Sequence, residues 1–240
     1  MYRSALCILT FWLGSLLANP VDFNFEGTLP LDTEKLFVSL GSGCDTGLTL
    51  RDCGLRQAAF PFDWLICGNH ERFIMLLDDD FHYFTDERFF VPLDDPKVSD
   101  HPNSLMNTYY DLIFYHEGSI PYDWSDHEKY QEQLARIKAK YERRISRFRQ
   151  IRSFPGKVFF IRNFQSVHAA QTSRHEEMAI ELRDALRRYF PGVNLTLVIV
   201  TFTDVNAPSI GPIDGVLEFK MDRPPWRQEY AKMYEVLLKH

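Results

Sequence analysis

The chain has 240 residues, of which 45% are hydrophobic and 15% aromatic, so it can bury a substantial core. Its formal net charge is −6 and its isoelectric point is about 5.8, which argues against general affinity for nucleic acid, because nucleic-acid binders usually carry a net basic face. A basic stretch at 127–152 is most simply a solvated helix face, with a patch for phosphate or an anionic glycan as the alternative. We therefore expect one globular domain that does not bind nucleic acid.

The first residues have the pattern of a secretory signal peptide. Arg3 precedes an apolar run at 5–17, and the small residue Ala18 follows the run. The run is well short of the ~20 residues needed to span a bilayer, so we expect cleavage near Ala18 and no stable membrane insertion, with an uncleaved anchor as the alternative. The protein would then be secreted or periplasmic. The expected segments are a signal peptide at 1–18, an N-terminal extension at 19–35 and a folded domain at 36–240.

The segment LFVSLGSGC at 36–44 leads an apolar strand into a turn of small residues and then into a helix. We expect this helix at about 43–53. Ser42 and Asp45 have the spacing of an acidic capping box, and Gly54 is typical of a helix C-terminal stop.

Cys44 falls in the first turn of this predicted helix. The free N–H groups and the dipole at a helix N-terminus favour an anion, a thiolate included. Asp45 and the apolar neighbour Leu48 oppose ionisation of the thiol. The local sequence is therefore equally consistent with a reactive thiol and with an inert, buried cysteine.

Removal of the signal peptide takes Cys7 with it and leaves Cys44, Cys53 and Cys67, an odd number for an oxidising compartment. Cys44 and Cys53 are about 13.5 Å apart along a helix, beyond the ~7 Å that a disulfide spans between Cα atoms. Two possibilities remain open. Either Cys53 pairs with Cys67 and leaves Cys44 reduced, or all three thiols are free.

The stretch between residue 56 and residue 106 is rich in aromatic residues, acids and prolines. Pro61 marks a turn, after which Asp63 is either a turn or helix-cap residue or, together with Trp64, part of a binding wall. An apolar helical segment follows. Residues 88–106 are typical of a surface loop.

From residue 109 onward, strands and helices alternate. The predicted strands are at 109–117, 157–163, 194–202 and 215–221, and the predicted helices are at 127–151, 173–189 and 228–239. Alternation at this spacing favours βαβ units, that is, an α/β fold with a largely parallel sheet flanked by helices. Ligands of such sheets bind outside the carboxyl ends of the strands.

Polar residues occur at three of these predicted strand ends. They are the turn at 42–44, His116, and the pair Arg162 and Asn163. A cysteine, a histidine and an asparagine at one edge of a parallel sheet could meet in space.

These same residues carry a resemblance to a known family. The motifs FVSLGSGC, LRDCGLRQAAFPFDWL, FYHE before a long charged helix, and FFIRN resemble the bacterial family of putative papain-like cysteine peptidases, otherwise a domain of unknown function. The similarity extends over about 37–202. It implies that Cys44 is a nucleophile and that His116 is its base.

The chemistry that we expect is acyl transfer by a thiolate. Cys44, its pKa lowered by the helix N-terminus and by an imidazolium at His116, would attack an acyl carbon. Its own N–H and a neighbouring N–H of the glycine-containing turn would hold the oxyanion. Asn163 would orient the imidazole, with Asp63 as the rival for that role. The residues assigned to substrate binding are Ser42, Gly43, Asp63, Trp64 and Arg162. The substrate would be a peptide, amide, thioester or glycan, and no cofactor is expected.

Other classes of function are possible. His168 and His175 could share a helix face, but zinc wants four ligands and no further pair accompanies them, so we expect no metal. The stronger alternative is a glycan-modifying transferase, or a non-catalytic phosphate- or sugar-binding protein, that uses the glycine turn and Arg162 on a Rossmann-like sheet. The turn lacks a full dinucleotide or P-loop fingerprint.

Overall fold

The computed structural model describes residues 26–93, 104–115, 117, 126–164, 173–203, 209–222 and 226–240. These residues form an α/β structure with two four-stranded sheets and five α-helices. The strands are β1 (Lys35–Ser39), β2 (Leu65–Cys67), β3 (Phe90–Leu93), β4 (Ser104–Asn107), β5 (Leu112–Phe114), β6 (Lys157–Asn163), β7 (Leu195–Phe202) and β8 (Val216–Met221). The helices are α1 (Asp45–Asp52), α2 (His70–Asp78), α3 (His127–Gln150), α4 (His175–Tyr189) and α5 (Trp226–Leu237).

One sheet is entirely parallel and has the strand order β1-β6-β7-β8. In its register Phe37 lies opposite Phe159, and Val198 lies opposite Leu217. Strands β6 and β7 are buried almost throughout, which is why their sequences are nearly continuous apolar runs. The predicted parallel sheet is confirmed for these four strands.

The other sheet is antiparallel, with the order β2-β5-β4-β3, and it corrects two predictions. Residues 88–106, expected to be a surface loop, contain β3 and β4. The strand predicted at 109–117 is the three-residue β5, which pairs with β2 and β4 instead of joining the parallel sheet. Strands of three or four residues, with Pro92 on the edge strand, leave too short an alternating pattern to be recognised.

Apolar side chains pack against both faces of the parallel sheet. A larger cluster contains alternate residues of β1 and β6, such as Val38 and Phe160, together with side chains from the antiparallel sheet. A smaller cluster contains the intervening residues, such as Phe37 and Phe159, whose rings stack 5.2 Å apart, and side chains of α1 and α5. The larger cluster thus has members in both sheets, while the single domain stays a prediction.

The helices lie close to their predicted positions. The helix predicted at 127–151 corresponds to α3, the one predicted at 173–189 corresponds to α4, and the one predicted at 228–239 corresponds to α5. Gly54, at φ +67°, follows α1 as the expected C-terminal stop. No helix among the described residues combines the length and the apolar composition that a membrane span requires. The predicted signal peptide lies outside the described residues, so export stays a prediction.

Candidate active site

A turn in an unusual backbone conformation joins β1 to α1. Gly41, Ser42 and Gly43 have φ values of +77°, +72° and +132°, a run of positive values that a residue with a side chain rarely adopts. Ser42 is held there at a cost of about 1 kcal/mol or more. The predicted capping box is wrong, because Cys44 rather than Ser42 is the N-cap of α1, and the Cys44 side chain makes no capping hydrogen bond. The prediction that Cys44 lies at a helix start is confirmed.

The N–H groups of this turn are bonded inside the protein. Gly41 N–H donates to the Ser39 hydroxyl at 3.3 Å, and Gly43 N–H donates to the Leu65 carbonyl at 3.2 Å. Ser42 N–H donates to the buried Cys67 thiol. The expected oxyanion donor within the turn is therefore already bonded inside the protein, while the assignment of Ser42 and Gly43 to substrate binding stays a prediction.

The turn also touches the segment beneath it. A Cβ atom added to Gly41 would lie 3.1 Å from the Phe62 carbonyl oxygen and 3.3 Å from the Cys67 sulfur. Glycine at this position thus serves two purposes, since it allows the positive φ and the close approach of two segments. The turn that presents Cys44 rests on β2 and the residues just before it.

The thiol of Cys44 is half-buried, and its described surroundings disfavour the thiolate. Burial, followed by the neighbouring Asp45 carboxylate, raises the pKa of Cys44 to about 11. The Arg227 guanidinium acts in the opposite direction but is outweighed. The described surroundings thus keep the thiol neutral at pH 7 and do not supply the lowered pKa that we expect from the helix N-terminus. A nucleophilic Cys44 needs a base.

All three cysteines within the described residues are free. Cys53 packs at the edge of the smaller cluster and Cys67 is buried in the larger one. The two residues thus lie on different faces of the parallel sheet. Of the two possibilities left open by the sequence, the structure shows three free thiols and no Cys53–Cys67 bridge.

His116 lies outside the described residues, but its neighbour Glu117 is placed. The Glu117 carboxylate is buried and accepts from Lys140 Nζ at 2.9 Å and from the Tyr141 hydroxyl at 3.1 Å. Strand β5, which leads to these residues, belongs to the antiparallel sheet. The expectation that residue 116 follows a strand of the parallel sheet is therefore wrong.

Asp63 forms a buried ion pair with Arg56. One carboxylate oxygen, Oδ2, accepts from Arg56 Nε at 3.0 Å, from a terminal guanidinium nitrogen at 2.8 Å and from Phe60 N–H at 3.1 Å. The guanidinium also stacks over the Trp64 ring, 5.2 Å from its centroid. Asp63 and Trp64 are 1% and 2% exposed, so neither side chain is accessible to a substrate in this structure. Both side chains instead stabilise the segment that packs beneath α1.

Helix α1 packs directly on this ion-paired segment. A Cβ atom on Gly47 would lie only 2.8 Å from the Asp63 carbonyl oxygen. The helix that begins at Cys44 is thus positioned by a backbone contact that only glycine permits.

Arg162 lies at the end of β6 and is 1% exposed. It donates to the Leu40 carbonyl at 2.5 Å and to the Cys67 carbonyl at 2.6 Å, and its guanidinium lies 4.4 Å from the centroid of the Phe73 ring. Burial lowers the pKa of this guanidinium. Arg162 therefore joins the two sheets and does not reach a substrate, which corrects its predicted role.

Asn163, the next residue, is also buried but points into a different environment. Its Nδ2 donates to the Tyr230 hydroxyl at 3.1 Å, and that hydroxyl lies 3.4 Å from Thr46 Oγ1 in the first turn of α1. Asn163 Oδ1 is buried without a hydrogen-bond partner among the described residues. A chain of polar side chains thus runs from the end of β6 to the turn of helix that follows Cys44.

Two residues of this region, Arg227 and Tyr230, were not predicted from the sequence. Both lie on α5, far along the chain from Cys44. The available signal was the recurrence of Trp226, Tyr230 and Tyr234 every four residues, which predicts one aromatic helix face but not its partner.

The described part of the chain contains no group of three or more His, Cys, Asp or Glu side chains that could hold a metal ion. His175 is buried beside the Phe164 ring, at 5.1 Å between centroids. His168, its proposed partner on a helix face, lies outside the described residues.

Comparison with known proteins identifies a family and a relative. Residues 35–205 match a family model described as "Putative papain-like cysteine peptidase (DUF1796)". "Uncharacterized protein R408" of Acanthamoeba polyphaga mimivirus is 28% identical over 148 residues, which cover 55% of this chain and 63% of that protein. The match thus spans less than two thirds of the viral protein. No solved structure matches.

Proposed function

Since the chain belongs to the family of putative papain-like cysteine peptidases, we propose that it is a cysteine hydrolase in which Cys44 is the nucleophile and His116 is the base. The substrate is an acyl compound, namely a peptide, an amide or a thioester. Asn163 orients the imidazole through its Oδ1, which is buried and has no partner among the described residues.

The observation that carries this proposal is the position of Leu65. Its carbonyl accepts from Gly43 N–H at 3.2 Å, immediately before Cys44. The same residue is the antiparallel partner of Phe114, two residues before His116. Antiparallel partners lie about 5 Å apart. The turn that carries the nucleophile and the strand that leads to the base therefore meet at one residue.

The raised pKa of Cys44 defines what the base has to do. As Sγ attacks the acyl carbon, the thiol proton moves to the imidazole of His116, and the carbonyl π electrons move to oxygen. When the oxyanion collapses, the bond to the leaving group breaks and the imidazolium gives its proton to that group. Water, deprotonated by the imidazole, then attacks the acyl-enzyme, and the thioester bond breaks to restore the thiol.

The oxyanion needs donors other than the turn at 41–43, whose N–H groups are occupied. The N–H of Cys44 and an N–H of the first turn of α1 are the nearest alternatives, because the first N–H groups of a helix have no partner within it. Each such donor is worth about 3 kcal/mol in comparable enzymes.

The glycan- or phosphate-binding alternative has less support. A phosphate cradle needs outward-facing N–H groups in the glycine turn, whereas those of Gly41, Ser42 and Gly43 are bonded internally. Arg162, the cation expected to bind phosphate, is buried between the two sheets, where it donates to backbone carbonyls.

Alkylation of Cys44 by iodoacetamide, measured by mass spectrometry from about pH 6 to about pH 11, tests the pair. In the wild type we expect an inflection below the reference value of about 8.5. In His116→Ala the inflection should move up, because burial and the Asp45 carboxylate raise the pKa of the thiol and no imidazole is present to take its proton. At neutral pH the rate should fall on the order of a hundredfold, because the thiolate fraction falls.

Two thiols provide the controls. Cys44→Ser should abolish this labelling and also any hydrolysis of a thioester probe, while the labelling of Cys53 should not respond to His116→Ala. Identical pH profiles of Cys44 in the wild type and in His116→Ala would overturn the proposal.

A further inference from the structure

Tyr230 occupies a junction between three elements. It lies on α5, its side chain is 0% exposed, and its hydroxyl is 3.1 Å from Asn163 Nδ2 on β6 and 3.4 Å from Thr46 Oγ1 on α1. Asn163 and Thr46 are each 1% exposed. Tyr230 falls beyond the residues 35–205 that match the family model, so the match gives it no role.

The direction of these hydrogen bonds follows from the chemistry of the groups. The amide Nδ2 of Asn163 can only donate, so the Tyr230 oxygen accepts from it. The hydroxyl hydrogen of Tyr230 can then be donated to Thr46 Oγ1, 3.4 Å away. The amide is thereby held with Oδ1 as the remaining acceptor, and that atom has no partner among the described residues. A buried acceptor in this state is available to an incoming N–H donor.

We propose that Tyr230 is a positioning residue for this site. It holds the Asn163 amide with Oδ1 free to accept from the imidazole of His116, and it ties the same amide to the first turn of α1. The inference rests on the proposed function, because it acts through Asn163 and the histidine.

Tyr234 provides a matched control. It lies one turn further along α5, is 1% exposed, and its hydroxyl is 3.0 Å from Thr49 Oγ1 of the same helix α1. Both tyrosines thus join the same two helices, but among the described contacts only Tyr230 also bonds Asn163.

The experiment compares Tyr230→Phe with Tyr234→Phe in the full chain. We expect Tyr230→Phe to slow iodoacetamide labelling of Cys44 at neutral pH by about fivefold, the effect of one lost hydrogen bond, and Tyr234→Phe to leave the rate within twofold of wild type. In the His116→Ala background Tyr230→Phe should have no further effect, because its action passes through the histidine. Thermal unfolding of both variants measures any purely structural loss.

Two results would overturn the inference. One is equal slowing by both tyrosine variants, and the other is slowing by Tyr230→Phe that persists in the His116→Ala background. If Tyr230→Phe does not fold, Asn163→Ala removes the same hydrogen bond from its other end and must lose its effect in that background too. Failure of the proposed function has a different signature, namely hydrolysis of a thioester probe that survives Cys44→Ser, or pH profiles of Cys44 alkylation that are identical in the wild type and in His116→Ala.

Discussion

Arg162 and Asn163 are neighbours at the end of β6, yet the protein uses them in opposite ways. Arg162 lies on the face of the larger cluster, where it donates to two carbonyls and joins the two sheets. Asn163 lies on the face of the smaller cluster, where it makes one hydrogen bond and keeps an acceptor open. Successive residues of a strand point to opposite faces, so one step along the chain separates the two roles.

Under the proposed function, the difference divides buried polar groups between structure and chemistry. A buried cation is stabilised by the hydrogen bonds that it donates. Both terminal nitrogens of Arg162 donate to carbonyls that hold the β1 turn and β2 together, whereas its Nε has no partner among the described residues. An unused acceptor such as Asn163 Oδ1 costs stability, and it is tolerated where a reaction needs it. We therefore expect substitutions on the two faces to separate stability from reactivity.

The largest expected effect is that of Arg162→Met on folding. The substitution removes the donors to the carbonyls of Leu40 and Cys67 and leaves both buried, which should lower the free energy of unfolding by on the order of 3 kcal/mol. Urea unfolding followed by tryptophan fluorescence measures the loss. Asn163→Ala is the adjacent control and should cost only about 1 kcal/mol. An equal loss in both variants would contradict the division between the faces.

An effect of intermediate size is expected when the pH is lowered. Acid should reduce the stability of the fold because of two histidines on the face of the larger cluster. Burial lowers the pKa of His70, whose Nε2 lies 2.8 Å from Glu181 Oε2, and burial also lowers the pKa of His175. As the pH falls, these two histidines are therefore protonated at a higher pH in the unfolded chain than in the folded protein. Stability should be constant above the unfolded-state pKa of about 6.5 and should fall as the pH drops below it. Urea midpoints at a series of pH values measure the slope.

His175→Phe sharpens the same prediction. Neither ring nitrogen of His175 has a hydrogen-bond partner among the described residues, and the ring already lies against Phe164. The substitution should leave stability at neutral pH unchanged or higher, and it should make the loss in acid less steep. An unchanged slope would show that His175 does not contribute to it.

The smallest expected effect concerns Asp45, beside the thiol. Its carboxylate contributes to the raised pKa of Cys44, although burial contributes more. In the His116→Ala background, Asp45→Asn should lower the alkylation inflection by roughly half a pH unit, the size of a partly screened charge interaction. Asp52→Asn, at the other end of α1, is the control and should leave the inflection in place. A larger shift from Asp52→Asn would contradict the attribution to Asp45.

Sequence patterns predict the positions of strands and helices well where the pattern is long. The strand KVFFIRN coincides with β6, and the charged helix α3 begins at the predicted residue, because a buried parallel strand and a long amphipathic helix each leave a clear repeat. The antiparallel sheet escaped prediction, since β2 and β5 have three residues each and depend on pairing with distant segments.

In the candidate site, too, the features that depend on local sequence could be predicted, and those that depend on contacts between distant segments could not. Cys44 at a helix start and Asn163 at a strand end followed from local sequence, whereas the internal use of Arg162 depends on the carbonyls of Leu40 and Cys67, both remote in sequence. The role proposed for Tyr230 depends on α5 packing beside α1, which no local pattern specifies.

The packing of α5 against α1 has a practical consequence for anyone who wishes to produce this protein. The family match ends at residue 205, but the smaller cluster is completed by later residues. They include Met221, Tyr230, Met233, Tyr234 and Leu237. A fragment trimmed to the matched segment would expose the apolar face of the parallel sheet to solvent and leave β7 as a bare edge, both of which promote aggregation. Expression boundaries for this protein therefore belong after α5.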